Sequence, residues 1–242
     1  MKTIGLIGGM SWASTALYYR LINQEVMNRL GGLRSARVLL ASLDFAEVVA
    51  GQKAGEWDRL ASLLCDSARR LERAGADIVL IATNTMHKVA DAVQAQLSVP
   101  LLHIGDVTAD AIRAHDCRRV ALLGTRYTMQ GPAYPAAFKR HGLDMRVPSP
   151  ADQERINTVI FEELCQGVLT DAARAEYVRF IEMLKGEGCD AVALSCTEIP
   201  LLITPEVSPL PTLDSTRLLA HAAIDVALGE KPLPTWRGGP FT

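Results

Sequence analysis

Short runs of apolar residues alternate along this chain with longer stretches in which apolar and charged positions recur every three to four residues. Residues 38–43, 78–82, 120–123 and 191–194 are near-continuously apolar, as strands buried on both faces of a parallel sheet require. Residues 56–74 place Trp57, Leu60, Leu63, Leu64, Ala68 and Leu71 on one helical stripe with charges elsewhere, and Gly75 follows as a stop. Residues 172–185 are the counterpart, with Gly186 expected to end them. Strands alternating with amphipathic helices predict the α/β class, with parallel sheets covered on both sides.

The pattern also repeats. Gly75-Ala76-Asp77-Ile78-Val79-Leu80-Ile81-Ala82-Thr83-Asn84-Thr85 is echoed by Gly188-Cys189-Asp190-Ala191-Val192-Ala193-Leu194-Ser195-Cys196-Thr197-Glu198. Upstream, Ile4-Gly5-Leu6-Ile7-Gly8-Gly9-Met10 resembles Val120-Ala121-Leu122-Leu123-Gly124-Thr125-Arg126, and downstream Val99-Pro100-Leu101-Leu102-His103 resembles Leu210-Pro211-Thr212-Leu213-Asp214. An internal duplication of a unit of roughly 110 residues accounts for all three. It predicts two pseudo-symmetric, doubly wound lobes: residues 1–105 with the helix 215–228, and residues 106–214. The tail 229–242, rich in Pro and Gly, is expected to be a surface strap or loose end with little chemistry.

Within the echo, Thr83 falls opposite Cys196, each just past the carboxyl end of a strand, where ligands of parallel α/β sheets bind. Thr83-Asn84-Thr85 and Cys196-Thr197-Glu198 each open a helical segment, whose free N–H groups suit a carboxylate and whose positive end would favour a Cys196 thiolate. A small acid is the expected guest. Cys65, Cys117, Cys165 and Cys189 lack this context and are expected to be packing residues. Gly5, Gly8 and Gly9 follow the first strand, but their spacing departs from the dinucleotide fingerprint, so they predict a turn that leaves room for a compact substrate. His87, four residues after Thr83, lies one helical turn down the same face and suits a structural, capping or supporting role.

Composition narrows the functional classes. The chain has 242 residues, 49% of them hydrophobic, and a net charge of −2 from interspersed signs. Its densest basic cluster, Arg69, Arg70 and Arg73, shares a helix with Asp66 and Glu72, which reads as a solvated face rather than a nucleic-acid surface. Five cysteines without a Cys-x-x-Cys pair argue against a disulfide framework or structural zinc and fit a reducing cytoplasm. No histidine cluster suggests a metal. No segment has the apolar length of a membrane span, and the first apolar run, broken by Gly5, Gly8 and Gly9, reads as a strand rather than a leader.

Two such lobes, with an Asn-Thr pair after one strand and Cys-Thr-Glu after the other, resemble the cofactor-independent aspartate/glutamate racemase superfamily over essentially the whole chain. The segments Gly8-Gly9-Met10-Ser11-Trp12, Thr83-Asn84-Thr85-Met86-His87-Lys88-Val89-Ala90, Leu123-Gly124-Thr125-Arg126-Tyr127-Thr128-Met129 and Cys196-Thr197-Glu198-Ile199 are most similar to the L-aspartate/glutamate-specific branch, in which Thr replaces the first cysteine. The resemblance implies a racemase that needs no pyridoxal phosphate or other cofactor. It implies removal of the Cα proton on one face and its return on the other in a cleft between lobes, and a homodimer. Cys196 would be the base acting on the L-amino acid and Thr83 the donor leading to the D-product. Asn84, Thr85, Thr197 and Glu198 would hold the substrate's carboxylate and ammonium groups, with Met10 and Gln52 lining the site. Gln52 and Cys165 fall near positions where two-cysteine aspartate racemases carry Arg and Lys. Two other readings stay open: a cofactor-free decarboxylase or isomerase of a small dicarboxylate, and a non-catalytic ligand-binding homologue.

Overall fold

The computed structural model describes residues 1–236 and divides the chain into two compact units, Met1–Ile104 with the described residues from Leu219 onward, and Gly105–Leu218. Each unit is built on a parallel sheet. In the first, strands β1 (Ile4–Gly8), β2 (Val38–Ser42) and β3 (Ile78–Ile81) lie in the order β2-β1-β3. In the second, β4 (Arg119–Gly124), β5 (Asp144–Arg146), β6 (Ala191–Ser195) and β7 (Thr212–Asp214) lie in the order β5-β4-β6-β7.

The registers of the two sheets are those of the sequence repeat. Ile4 pairs with Ile78 and its counterpart Val120 with Ala191. Val79 bridges Leu101 as Val192 pairs with Thr212, so the isolated bridge of the first unit occupies the place of β7 in the second. The residues identical between the halves explain why. Gly75 and Gly188 both take positive φ, 95° and 89°, which only glycine adopts without strain. Asp77 and Asp190 then accept the backbone N–H that starts the neighbouring strand, from Thr3 at 2.6 Å and from Arg119 at 3.1 Å. The backbone N–H groups of both aspartates return the bond, to Thr3 and Arg119 carbonyls at 2.8 and 2.9 Å. Glycine turns the chain out of the preceding helix, and aspartate clamps the next strand into the sheet.

The amphipathic stripe of residues 56–74 forms the helix Trp57–Arg73, with Leu60, Leu64, Ala68 and Leu71 buried against the first sheet. Each leucine so covered contributes about 2 kcal/mol relative to exposure. Its opposite face is solvated, with Arg69 paired to Asp66. The counterpart helix spans Asp171–Gly186. Gly186 therefore belongs to the helix rather than ending it, and the left-handed turn falls at Gly188, where the repeat places it. β2 also departs from expectation: as the edge of its sheet it is only partly covered, and Leu40 is 51% exposed. No helix among the described residues is long and apolar enough to cross a membrane.

Of the two forms expected for the tail, residues 229–236 take that of a surface strap: 229–233 are exposed, and Trp236, 7% exposed, anchors the segment in the core of the first unit. Residues 237–242, with Gly238, Gly239 and Pro240, lie outside the described residues.

Candidate active site

In the first unit the chain leaves β3 through Ala82, whose N–H is held by the Ile7 carbonyl at 2.9 Å. It passes Thr83 and Asn84 into a 3-10 turn, Thr85–Val89, and then the short helix Ala90–Gln94. Asn84 and Thr85 are buried and Thr83 is half-buried. In the second unit β6 ends at Ser195, and Cys196, Thr197 and Glu198 lead into the four-residue helix Ile199–Leu202. At the second turn the Glu198 N–H faces the Cys196 sulfur and favours its anion.

Burial and a neighbouring carboxylate outweigh that contribution at Cys196. It is 8% exposed, packed with Leu164, Tyr177 and Ile199, and its Sγ donates to Glu198 Oε2 at 3.0 Å. Burial pushes its thiol well above the ordinary range, and the negative Glu198 beside it pushes the same way. The expected depression of this thiol is thus reversed: in the ligand-free site Cys196 holds its proton. Glu198 Oε2 also accepts from Thr197 Oγ1 at 2.6 Å, so one carboxylate oxygen ties the three residues together. Cys165 is exposed on the turn Leu164–Gln166, within electrostatic reach of both Glu198 and Cys196. It is not a packing residue. Cys65 and Cys189 are buried, Cys117 is partly buried, and all five cysteines are free of disulfides.

Met10 and Gln52 are both buried in the first unit. Gln52 donates Nε2–H to Met86 Sδ at 3.2 Å, which ties the helix Phe45–Ala54 to the turn carrying Thr83, Asn84 and Thr85. Met10 belongs to the same apolar cluster as Met86. The glycines before it are required by close backbone packing. A Cβ on Gly8 would lie 2.5 Å from Thr15 Cγ2, and one on Gly9 2.1 Å from the Leu43 carbonyl oxygen.

His87 supports Thr83 directly. Its Nε2 takes the N–H of Ile104 at 3.2 Å, and a backbone N–H can only donate, so that nitrogen is unprotonated. The ring proton therefore sits on Nδ1 and is donated to the Thr83 carbonyl at 2.8 Å. Complete burial lowers the His87 pKa from near 6.5 to about 4, against the raising effect of the Thr83 and Asn84 carbonyls. Because the folded state binds this proton less well than the unfolded one, the stabilisation is complete above pH 6.5 and is lost as pH falls toward 4. Denaturant titrations are expected to show His87 accounting for about 3 kcal/mol of that loss, and His87→Gln should flatten the dependence. An unchanged slope in the variant would assign the acid sensitivity elsewhere.

Beneath Cys196 lies a group that sequence reasoning missed. Tyr134, buried, faces the hydroxyls of Ser195, Ser215 and Thr108, and burial pushes its pKa up to about 12. Ser215 Oγ donates to the Leu194 carbonyl at 3.1 Å, so this polar knot fixes the last residues of β6. Its members are scattered along the sequence, and only Ser195, adjoining Cys196, carries a signal that could have found it.

Known proteins share this architecture. The Asp/Glu/Hydantoin racemase family matches residues 7–223. A crystal structure of a candidate Asp/Glu racemase from Yersinia pestis is 44% identical, covers 94% of this chain and 100% of its own, and superposes with a TM-score of 0.89. An aspartate racemase homologue from Pyrococcus horikoshii OT3 is 33% identical over 94% of this chain and 100% of its own, with a TM-score of 0.83. The broad specificity amino-acid racemase RacX of Bacillus subtilis (strain 168) is 26% identical over 171 residues, 71% of this chain and 74% of its own. With its two parallel sheets and their duplicated register, the chain belongs to the Asp/Glu/hydantoin racemase family.

Proposed function

We propose that the protein is a cofactor-independent racemase of aspartate, glutamate or both, with Cys196 and Thr83 serving opposite faces of the substrate Cα. The observation that carries this reading is the equivalence of the two turns. The same strand, held in the same register, delivers a thiol in one unit and a hydroxyl in the other. Cys196 removes the proton from the L-enantiomer, and Thr83 supplies the proton that yields the D-enantiomer. Asn84, Thr85, Thr197 and Glu198 hold the amino-acid head group, and Met10 and Gln52 line the site.

The resting thiol fits a substrate-triggered base. An ammonium group that pairs with Glu198 cancels the charge that adds to burial in holding the Cys196 proton, so the thiolate becomes more accessible when substrate arrives. Thr83 is the weaker partner, since an unactivated hydroxyl is a poor acid and base, so turnover is expected to be slow. Incubating L- and D-aspartate and L- and D-glutamate separately in deuterated water should give loss of the α-proton signal from at least one pair. Absence of exchange from every enantiomer, with Cys196 intact, would overturn the assignment.

A second reading rests on the same protonated thiol. A buried Cys196–SH is suited to hand a proton to an enolate formed by loss of carbon dioxide, as a cofactor-free decarboxylase requires. Carbon dioxide release from substituted malonates, without amino-acid exchange, would favour it.

A further inference from the structure

The first unit contains a line of contacts that begins far from the candidate site in sequence and ends on it. The Trp236 indole meets the His103 ring edge-on, with centroids 5.0 Å apart and planes inclined by 61°. His103 in turn meets His87 at 5.0 Å and 88°. His87 donates to the Thr83 carbonyl and accepts from Ile104. All three rings are buried, and Trp236 is further enclosed by the apolar cluster that holds Leu97, Leu101 and Met86. The segment before it is anchored independently: Lys2 N–H bonds the Ala227 carbonyl at 2.8 Å, and Arg29 pairs with Asp225 and Glu230 at 2.7 and 2.6 Å.

We propose that residues 229–236, after the helix Ser215–Leu228, are a positioning strap, which acts through Trp236, His103 and His87 to hold the Thr83 carbonyl and thereby the Thr83-Asn84-Thr85 turn. The physical basis is that His87 has two hydrogen bonds to satisfy and its ring plane determines both. The T-shaped contact with His103 bears on that plane, and Trp236 bears in turn on His103. Removing the indole takes away one of the contacts that define the His103 ring position, so the His87 edge contact shifts and the bonds to Thr83 and Ile104 weaken together. The local bond network makes Trp236 a positioning residue, and its catalytic consequence rests on the proposed role of Thr83.

Two measurements on Trp236→Leu separate these parts. The substitution keeps apolar bulk and removes the ring, and Trp236→Phe should restore it. Amide hydrogen exchange is read first, because it needs no substrate. The Ile104 and His87 amides of Trp236→Leu are expected to exchange at least about tenfold faster, with β6 amides unchanged and Trp236→Phe close to the native protein. The second readout is the ratio of inversion to deuterium incorporation with retention in L-aspartate and L-glutamate. A displaced Thr83 still permits Cys196 to exchange the proton but hinders delivery on the other face, so the ratio is expected to fall several-fold. A uniform rise in exchange across the unit, or unchanged Ile104 protection, would overturn the strap. Accelerated Ile104 exchange with an unchanged ratio would keep the strap and remove its link to catalysis. No exchange of any substrate by the native protein would count against the proposed function alone, since the amide data decide the strap. Should Trp236→Leu not fold, His103→Leu breaks the same line one ring later and is read by the same two outcomes.

Discussion

Cys196→Ser is expected to lower α-proton exchange and inversion by roughly 10³-fold or more while leaving the fold and ligand binding in place. The substitution changes one atom, the one to which the proposed function gives the acid-base role. A serine hydroxyl fits where Sγ lies and can still donate to Glu198, so the three-residue knot with Thr197 survives. Its proton is far harder to remove, however, and the burial that already raises the thiol acts on the hydroxyl too. On the proposed function, pairing of Glu198 with a substrate ammonium eases ionisation of a thiol far more usefully than that of an alcohol, which starts from a much higher pKa. The loss must be equal from both enantiomers: mirror-image substrates have an equilibrium constant of one, so kcat/KM falls by the same factor in the two directions even though the proposed function places Cys196 on one face only. Rates of α-proton loss from L- and D-substrates in deuterated water, with binding followed by ligand-induced thermal stabilisation, test this. Activity within tenfold of the native protein would remove Cys196 from the chemistry, whereas lost binding would make it a structural residue.

The same equality constrains Thr83. The unequal pair in the repeat cannot act as a one-way valve, so its meaning lies in rate. On the proposed function a hydroxyl paired with a thiol gives a slow step in both directions, and His87, neutral and fixed in one tautomer, holds the Thr83 backbone without offering it a base.

How far such features are legible in sequence depends on the range of the interactions that make them. The strands, the alternation and the repeat are read directly because burial on both faces leaves near-continuous apolar runs. Gly75 and Gly188, Asp77 and Asp190 recur because each performs a local backbone task, so the identities shared by the halves are scaffold, and the differing pair Thr83 and Cys196 stands where the scaffold makes no demand. The repeat also contained the information that Gly188, not Gly186, makes the turn after its helix; composition near a helix end is a weaker guide than register. The ionisation of Cys196 was not legible. It depends on a 3.0 Å approach by Glu198 and on packing with Leu164 and Tyr177, set by a turn whose length the sequence does not display. Trp236 and Tyr134 are further cases, since each acts through partners distant along the chain.

Gly9→Ala is expected to cost about 3 kcal/mol or more, a large part of a typical domain's stability of roughly 5–15 kcal/mol. Two independent effects add. Gly9 has φ of 85°, where a Cβ costs about 1 kcal/mol through its own carbonyl. Contact costs more: the new Cβ would lie 2.1 Å from the Leu43 oxygen and 2.4 Å from its nitrogen, both backbone atoms. Leu43 cannot easily withdraw, because its N–H is bonded to the Gly8 carbonyl at 3.0 Å, and Gly9 cannot, because its own N–H is bonded to Thr15 Oγ1 at 2.8 Å. Relief requires breaking one of these bonds or moving the start of the helix Trp12–Leu30, adding about 1–3 kcal/mol. Gly55→Ala supplies the control. Gly55 also has positive φ, 73°, in the left-handed region, but a Cβ there meets nothing within 4 Å, so only the backbone cost of about 1 kcal/mol applies. Urea unfolding of the two variants should separate them by about 2 kcal/mol or more, and the same displacement should shift Met10 out of the cluster it shares with Met86. Equal costs for the two substitutions would mean that the turn after β1 can open without penalty, and the glycines before Met10 would then have to be explained by what the turn binds rather than by what it packs against.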